Sequence, residues 1–226
     1  MQGVRMVSDN IAHDLRTPLT RMRNNLSQLG QKLDADNRRE VDVIIEECDE
    51  LLASFNALLK ISALEAGAVH SGESDIDLAV VLRDVAELYE PLAAQKSIQI
   101  QLEVPDEFYF CGDRDLLFQM AANLVDNAVK YSVDNSTVTL ALQPSHDGSC
   151  NIVVADAGPG IPVADRKNVF RRFYRQESSR GQQPGHGLGL SLVQAIVQHH
   201  RGSVQLSSNN PGLRVRITLP AKVTQG

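Results

Sequence analysis

The stretch Ser8-Asp9-Asn10-Ile11-Ala12-His13-Asp14-Leu15-Arg16-Thr17-Pro18-Leu19 opens a run whose period decides how the beginning of the chain folds. Apolar residues at 11, 15, 19, 22, 26, 29 and 33 recur at steps of four and three, the stripe of an amphipathic helix that packs lengthwise against other helices. At about 100° per residue, His13 lies roughly 200° from both Ile11 and Leu15, so its imidazole is turned toward solvent. Thr17 shares that face one turn later. Pro18 removes one backbone bond and crowds the carbonyl of Asp14, at about 3 kcal/mol in a helix interior. A kink is therefore expected one turn after an exposed histidine with an acid beside it.

The helical pattern runs from about Arg5 to Leu33 and breaks at Asp34-Ala35-Asp36-Asn37, a cluster of turn formers and N-cap residues. A second stripe at 41, 45, 48, 52, 55 and 59, widened by Ile44, Leu51 and Leu58, reaches Ala66-Gly67, where glycine can cap a helix. Two antiparallel helices follow, each roughly 40 Å long at 1.5 Å per residue. Alone, such a hairpin leaves much of its apolar stripe in water. A symmetric four-helix bundle made by two chains covers it.

With 226 residues, 42% hydrophobic and 22% charged, the chain has room for two domains. No apolar run approaches the roughly 18 residues of a membrane span, and the N-terminus lacks a signal-peptide pattern. Cys48, Cys111 and Cys150 have no metal-ligand spacing; an odd, scattered set suggests reduced structural thiols and a cytosolic compartment. A net charge of −6 argues against a nucleic-acid binder. Locally, Lys167, Arg171, Arg172 and Arg175 form a basic group that either faces a polyphosphate or is a solvated face.

The boundaries expected are a hairpin over residues 1–67, a linker over 68–74 with Gly72 and two serines, and a second domain over 75–226. Strands are expected at Ser74 to Leu78, Ile98 to Leu102, Phe108 to Cys111, Thr137 to Leu142, Asn151 to Ala155, Ser203 to Ser208 and Arg214 to Leu219. Helices are expected at Val80 to Gln95, Asp113 to Tyr131 and Leu188 to His200, with Val163 to Phe173 interrupting an irregular stretch. This mixture predicts an α+β two-layer sandwich, one mixed sheet covered by helices on one face.

Three short runs in this second part carry chemistry. Gly185-His186-Gly187-Leu188-Gly189 opens a helix, where bare backbone N–H groups and the helix dipole favour an anion; a tight turn is the plain alternative. Asp156-Ala157-Gly158-Pro159-Gly160 sets a carboxylate on a turn, suited to accept from an exocyclic amine such as that of adenine. Asn123, Asn127 and Lys130 share one face of an otherwise apolar helix, with Tyr131 next to them. An Asn oxygen suits Mg²⁺, an ion that takes few protein ligands and bridges phosphate oxygens.

His13-Asp14-Leu15-Arg16-Thr17-Pro18 resembles the phosphoacceptor box of sensor histidine kinases. The downstream runs, with Phe170-Arg171-Arg172-Phe173-Tyr174-Arg175 between them, resemble the ATP-binding domain that these kinases share with DNA gyrase, the Hsp90 chaperones and the MutL proteins. The resemblance extends from about Ser8 to Leu219. It implies that Asn127 holds Mg²⁺, that Asn123 and Lys130 lie near the phosphates and Tyr131 beside the base, and that Asp156 reads the adenine amino group. It further implies that Gly158 and Gly160 shape that turn, that Gly185, Gly187 and Gly189 cradle the phosphates, and that Arg175 reaches the γ-phosphate. Residues 159–184 resemble the family's mobile lid. Asp14, Ala157 and His186 depart from the commoner Glu, Asn, and Thr or Ser, and none removes a group the mechanism needs.

The reading is then the catalytic core of a sensor histidine kinase. It is a homodimer that uses Mg·ATP to phosphorylate His13, with Asp14 assisting, and passes the phosphoryl group to an aspartate of a response regulator receiver domain. The acid-x-x-Thr pattern Asp14 to Thr17 also resembles the family's phosphatase signature toward that regulator. No nucleic acid is expected as a partner. The resemblance further implies a longer, membrane-anchored protein of which this is the cytoplasmic part. His70, His146, His199 and His200 are expected at the surface. The rival readings are a superfamily ATPase without a phosphohistidine and a dimerising scaffold with a degenerate nucleotide site.

Overall fold

Asp34, in the cluster expected to hold an N-cap, caps a helix in the computed structural model, which describes residues 17–18, 20–31, 33–68, 72–176 and 186–221. Its carboxylate accepts a 3.0 Å bond from the N–H of Asn37, pairing one of the donors that a first helical turn leaves open. Helix α1 (residues 20–30) precedes it and α2 (Ala35–Glu65) returns along α1. Two observations fix that antiparallel course: a Cβ on Gly30 would lie 3.3 Å from Val41 Cγ1, and Arg23 Nε donates to Asp49 Oδ1 at 2.8 Å. Thr17 and Pro18 are helical and exposed. His13, Asp14, His70 and Gly185 lie outside the described residues.

Glycine ends α2 as expected. Gly67 has φ +61°, its N–H donates to Leu64 O at 3.0 Å, and the N–H of Ala68 donates to Ala63 O at 2.9 Å. This pair of bonds is the glycine-dependent C-cap that satisfies the last carbonyls of a helix.

The second part runs β1 (Glu73–Asp77), α3 (Leu78–Gln95), β2 (Gln99–Glu103), β3 (Tyr109–Asp113), α4 (Arg114–Tyr131), β4 (Thr137–Pro144), β5 (Cys150–Ala155), α5 (Gly189–His199), β6 (Ser203–Ser208) and β7 (Leu213–Leu219). Helix α3 begins two residues before the expected Val80 because Asp77 caps it, Oδ1 accepting from Ala79 N at 3.0 Å and from Phe108 N at 3.1 Å. Asp113 likewise caps α4 through Leu116 N at 3.0 Å.

Five strands form the mixed sheet in the order β2-β4-β5-β7-β6, with β2 parallel to β4 and the other neighbours antiparallel. The remaining two, β1 and β3, form a separate antiparallel ribbon that sets Ile76 opposite Phe110. Residues 163–173 form turns and a bend.

Strand β7 shows how the sheet meets its cover: Val215, Ile217 and Leu219 are buried while Arg216 between them is exposed. Helix α4 lies centrally, burying Leu117, Met120, Ala121, Leu124, Val125 and Ala128 in the same core. Ile61 and Leu64 from the end of α2 also belong to that core. At about 1.5–3 kcal/mol for each buried aliphatic side chain, they fix the end of the hairpin firmly to the second domain. Lys60 Nζ donating to Gln119 Oε1 at 2.6 Å and an Arg172–Glu65 ion pair flank them.

One expectation is corrected. His200 is buried: its Nδ1 meets Ile196 O at 2.9 Å and its Nε2 accepts from the N–H of Asp113 at 3.1 Å. The partner that draws it inside stands 87 positions away, beyond the reach of local pattern. His146 is exposed and His199 half-buried. The three cysteines are free, Cys48 and Cys150 buried and Cys111 half-buried; burial pushes the Cys150 thiol up to about 12.

Candidate functional site

Helix α4 turns its apolar face to the sheet, so its polar residues are left on the flank that opens into a cavity of about 800 Å³. That volume is within the ordinary range for a small-molecule site. Asn123, Asp126, Asn127, Lys130 and Tyr131 from α4 line it. Facing them are Asp156 and Gly160 after β5, Arg175 from the loop beyond the turns, and Gly187 and Gly189 at the start of α5.

Glycine brings the backbone close to its neighbours at these approaches. A Cβ on Gly189 would sit 3.3 Å from Asn123 Oδ1 and 3.5 Å from Asn127 Nδ2, so the start of α5 faces the two amides directly. Gly187 has φ +70°, and a Cβ there would come within 2.6 Å of Tyr174 O; its carbonyl accepts from Phe173 N at 3.0 Å. The N-cap of α5 is Leu188, which makes no side-chain cap bond. The first-turn N–H groups are therefore not capped by a side chain at an end where the helix dipole favours an anion.

At the opposite end, Asp156 is buried, and its Oδ1 accepts from Gly158 N at 2.8 Å and Leu213 N at 3.1 Å. Both bonds fall on one carboxylate oxygen, which leaves the other for whatever enters the cavity. Burial raises this carboxyl above its usual range, and the two N–H bonds pull it back. The turn is locked behind it. A Cβ on Gly158 would lie 2.5 Å from Tyr131 O, and one on Gly212, at φ +111°, would lie 1.8 Å from Asp156 O. Gly158 thus supports the wall from behind and is not part of its lining.

The charged residues of α4 perturb one another. Burial raises the Asp126 carboxyl, opposed by the charge of Lys130. Burial lowers the Lys130 ammonium, opposed by Asp126 and Glu50 and reinforced by Arg175. Burial and then the Asp126 charge push Tyr89 up to about 12. Among the described residues no group of three or more His, Cys, Asp or Glu is placed to hold a metal. A divalent ion here would therefore rely on the α4 amides and on oxygens of its ligand, an arrangement that suits Mg²⁺ and the hard oxygen of Asn127.

Asn123, Asn127, Lys130, Tyr131, Asp156, Gly160, Arg175, Gly187 and Gly189 therefore meet in one cavity. Thr17 is not part of it. Asp126 and four residues of α2 went unread in the sequence. Asp126 lay within a polar set already singled out on α4, and its place beside Asn127 was the signal. Glu50, Ala53, Ser54 and Ala57 line the cavity from α2; no local pattern marks a contact between domains.

Comparison with known proteins agrees with this geometry. Residues 112–223 match the family model of the histidine kinase-, DNA gyrase B- and HSP90-like ATPases, and residues 4–67 match that of the His Kinase A (phospho-acceptor) domain. The chain is 33% identical to the sensor protein SphS of Synechococcus elongatus, over 97% of this chain and 55% of that protein. It is 35% identical to the signal transduction histidine-protein kinase/phosphatase MprB of Mycobacterium bovis, over 92% of this chain and 42% of that protein. Full-length ShkA, solved in complex with AMPPNP, superposes with a TM-score of 0.83 at 28% identity, covering 98% of this chain and 47% of that one. The chain thus spans about half the length of these relatives.

Proposed function

The chain belongs to the sensor histidine kinase family, and from that premise we propose that it catalyses ATP-dependent phosphorylation of its own His13 and passes the phosphoryl group to an aspartate of a response regulator. The observation that carries the nucleotide half is the single cavity in which Asp156 at one end faces the α4 amides, Lys130, Arg175 and the glycine-rich start of α5 at the other. A carboxylate oxygen open to an amine and a cluster of cations with bare N–H groups match the two ends of ATP.

In this mechanism Asp156 accepts from the adenine amino group with Tyr131 beside the base. Asn123, Lys130, Arg175 and the N–H groups of residues 185–189 hold the phosphates. Mg²⁺, held by Asn127, would neutralise charge on the transferred group. A neutral imidazole nitrogen of His13 attacks the γ-phosphorus, the bond to the β–γ bridging oxygen breaks, and ADP leaves; Asp14 orients the ring or takes its proton.

The protein is proposed to act as a homodimer. Met22, Leu29, Ile44 and Leu51 on the hairpin are about half exposed in the single chain, whereas Val41 and Cys48 are covered within it. A second copy would cover the remainder. Among the described residues no helix is long and apolar enough to cross a membrane; attachment of a longer protein to a membrane is part of the proposal. Thr17 is proposed to position water for dephosphorylation of the regulator, consistent with the kinase/phosphatase name of the MprB relative.

Incubation with γ-labelled ATP and Mg²⁺ tests the reaction. The label should be acid-labile and base-stable, absent from His13→Gln, and retained in Thr17→Ala, which should instead lose about tenfold in regulator dephosphorylation, equivalent to roughly 1.4 kcal/mol. Acid-labile label persisting in His13→Gln would overturn the assignment.

A further inference from the structure

One wall of the nucleotide cavity belongs to the hairpin. Glu50, Ser54 and Ala57, a turn apart on α2, line it opposite α4 and the start of α5. The Glu50 carboxylate is 3.9 Å from Nδ1 of His186, between the glycines of the α5 loop. Its charge, after that of Asp126, also favours the charged Lys130 ammonium, which burial and the Arg175 guanidinium disfavour. An acid carried by the other domain thus joins Asp126 beside the cations that the proposed function gives to the phosphates. A carboxylate and a phosphate are both anions with oxygen acceptors, so they compete for the same cations.

We propose that Glu50 is an affinity-determining residue of the nucleotide site, an internal anion that faces the phosphate-binding cations until a nucleoside triphosphate displaces it. The proposal rests on the nucleotide reading above. Because Glu50 is carried by α2, its displacement loosens the middle of that helix from the cavity mouth, while Ile61 and Leu64 keep the C-terminal end fixed. By linkage the coupling is reciprocal: whatever draws α2 away from the cavity tightens triphosphate binding, and triphosphate favours the separated arrangement. The Glu50 side chain is 43% exposed, so the effect is partly screened and a change of a few-fold is expected.

Calorimetry of the whole chain with Mg²⁺ and a non-hydrolysable ATP analogue, and separately with adenosine, tests this. Glu50→Gln keeps a helix-favouring side chain of the same length. It should tighten analogue binding about fivefold at low ionic strength, with the gain largely gone near 1 M salt, and should leave adenosine binding unchanged. Glu50→Ala should behave alike. In the wild type, the analogue should speed backbone hydrogen exchange over residues 50–57. Unchanged or weaker analogue binding by both folded variants would overturn the proposal, as would an equal gain for adenosine. Wild-type protein that binds neither ligand would instead remove the nucleotide reading, and this inference with it.

Discussion

The backbone N–H of Asp113 donates to Nε2 of His200 at 3.1 Å, joining the start of α4 to the end of α5. Because Nε2 accepts, the ring proton is on Nδ1, where Ile196 O receives it at 2.9 Å. Protonating Nε2 would set two donors against each other in a buried place.

That tautomer gives the fold an acid-side sensitivity. Burial lowers the His200 pKa below 6.5; His199 works in the same direction, while the Ile196 bond, Asp113 and Glu73 oppose it. Below 6.5 the unfolded chain binds this proton more readily than the folded one. The stability His200 contributes is therefore present above that value and lost as pH falls toward the depressed folded pKa. Denaturant midpoints should drop between pH 7 and 5, and His200→Gln should flatten that slope. Asp126 and Asp156, raised by burial, act with the opposite sign at lower pH, in the carboxylate range.

Lys96 Nζ donates to Val129 O and Lys130 O at 3.0 Å and to Ser132 O at 3.3 Å, placing a cation on the carbonyl end of α4. Lys96→Met should cost about 1–3 kcal/mol, seen as a lowered Tm. Nucleotide affinity should fall as well, because these carbonyls flank Tyr131 at the cavity wall.

Gly212→Ala should be among the most damaging glycine substitutions, because Gly212 is buried against the Asp156 turn. The new Cβ would lie 1.8 Å from Asp156 O at a φ of +111°, so the turn carrying Asp156 must move. A loss of about 3 kcal/mol or more is expected, together with weakened nucleotide binding by calorimetry. Gly148→Ala, at φ +80° with only a 3.4 Å contact to Ala221 Cβ, should cost only about 1–2 kcal/mol.

Ile44→Glu and Leu51→Glu place charges on the apolar residues of α2 that one chain leaves uncovered. A charge buried without a partner at a dimer seam costs several kcal/mol. Sedimentation should show monomers for the double variant and dimers for the wild type. A wild-type monomer at high micromolar concentration would end the dimer proposal.

What the sequence made legible follows from the range of each cause. A stripe of steps three and four placed α2 and the cap cluster at 34–37 marked its start, an apolar run placed α4, and Ser203–Ser208 has the bounds expected. These are local effects. The separation of β1 and β3 into their own ribbon was illegible because pairing joins Glu73 to Asp113 across the whole of α3. His200 was misread for the same reason: polar neighbours suggest a surface, and only a distant N–H makes burial tolerable. The cavity followed the same rule. Residues grouped on α4 or on one loop were readable, whereas Glu50 enters from another domain.

The two aliphatic side chains at the end of α2 bear on how such a protein can be taken apart. A cut at Gly67 would look clean by sequence, yet it would leave behind an apolar socket shaped by Ile61 and Leu64. Cohesion and modularity therefore divide the chain at different points. An excised ATPase lacking the last two turns of α2 would be prone to self-association through that socket. A chimera that grafts a foreign hairpin onto this ATPase should keep Lys60 to Glu65 native and place its junction further up the helix.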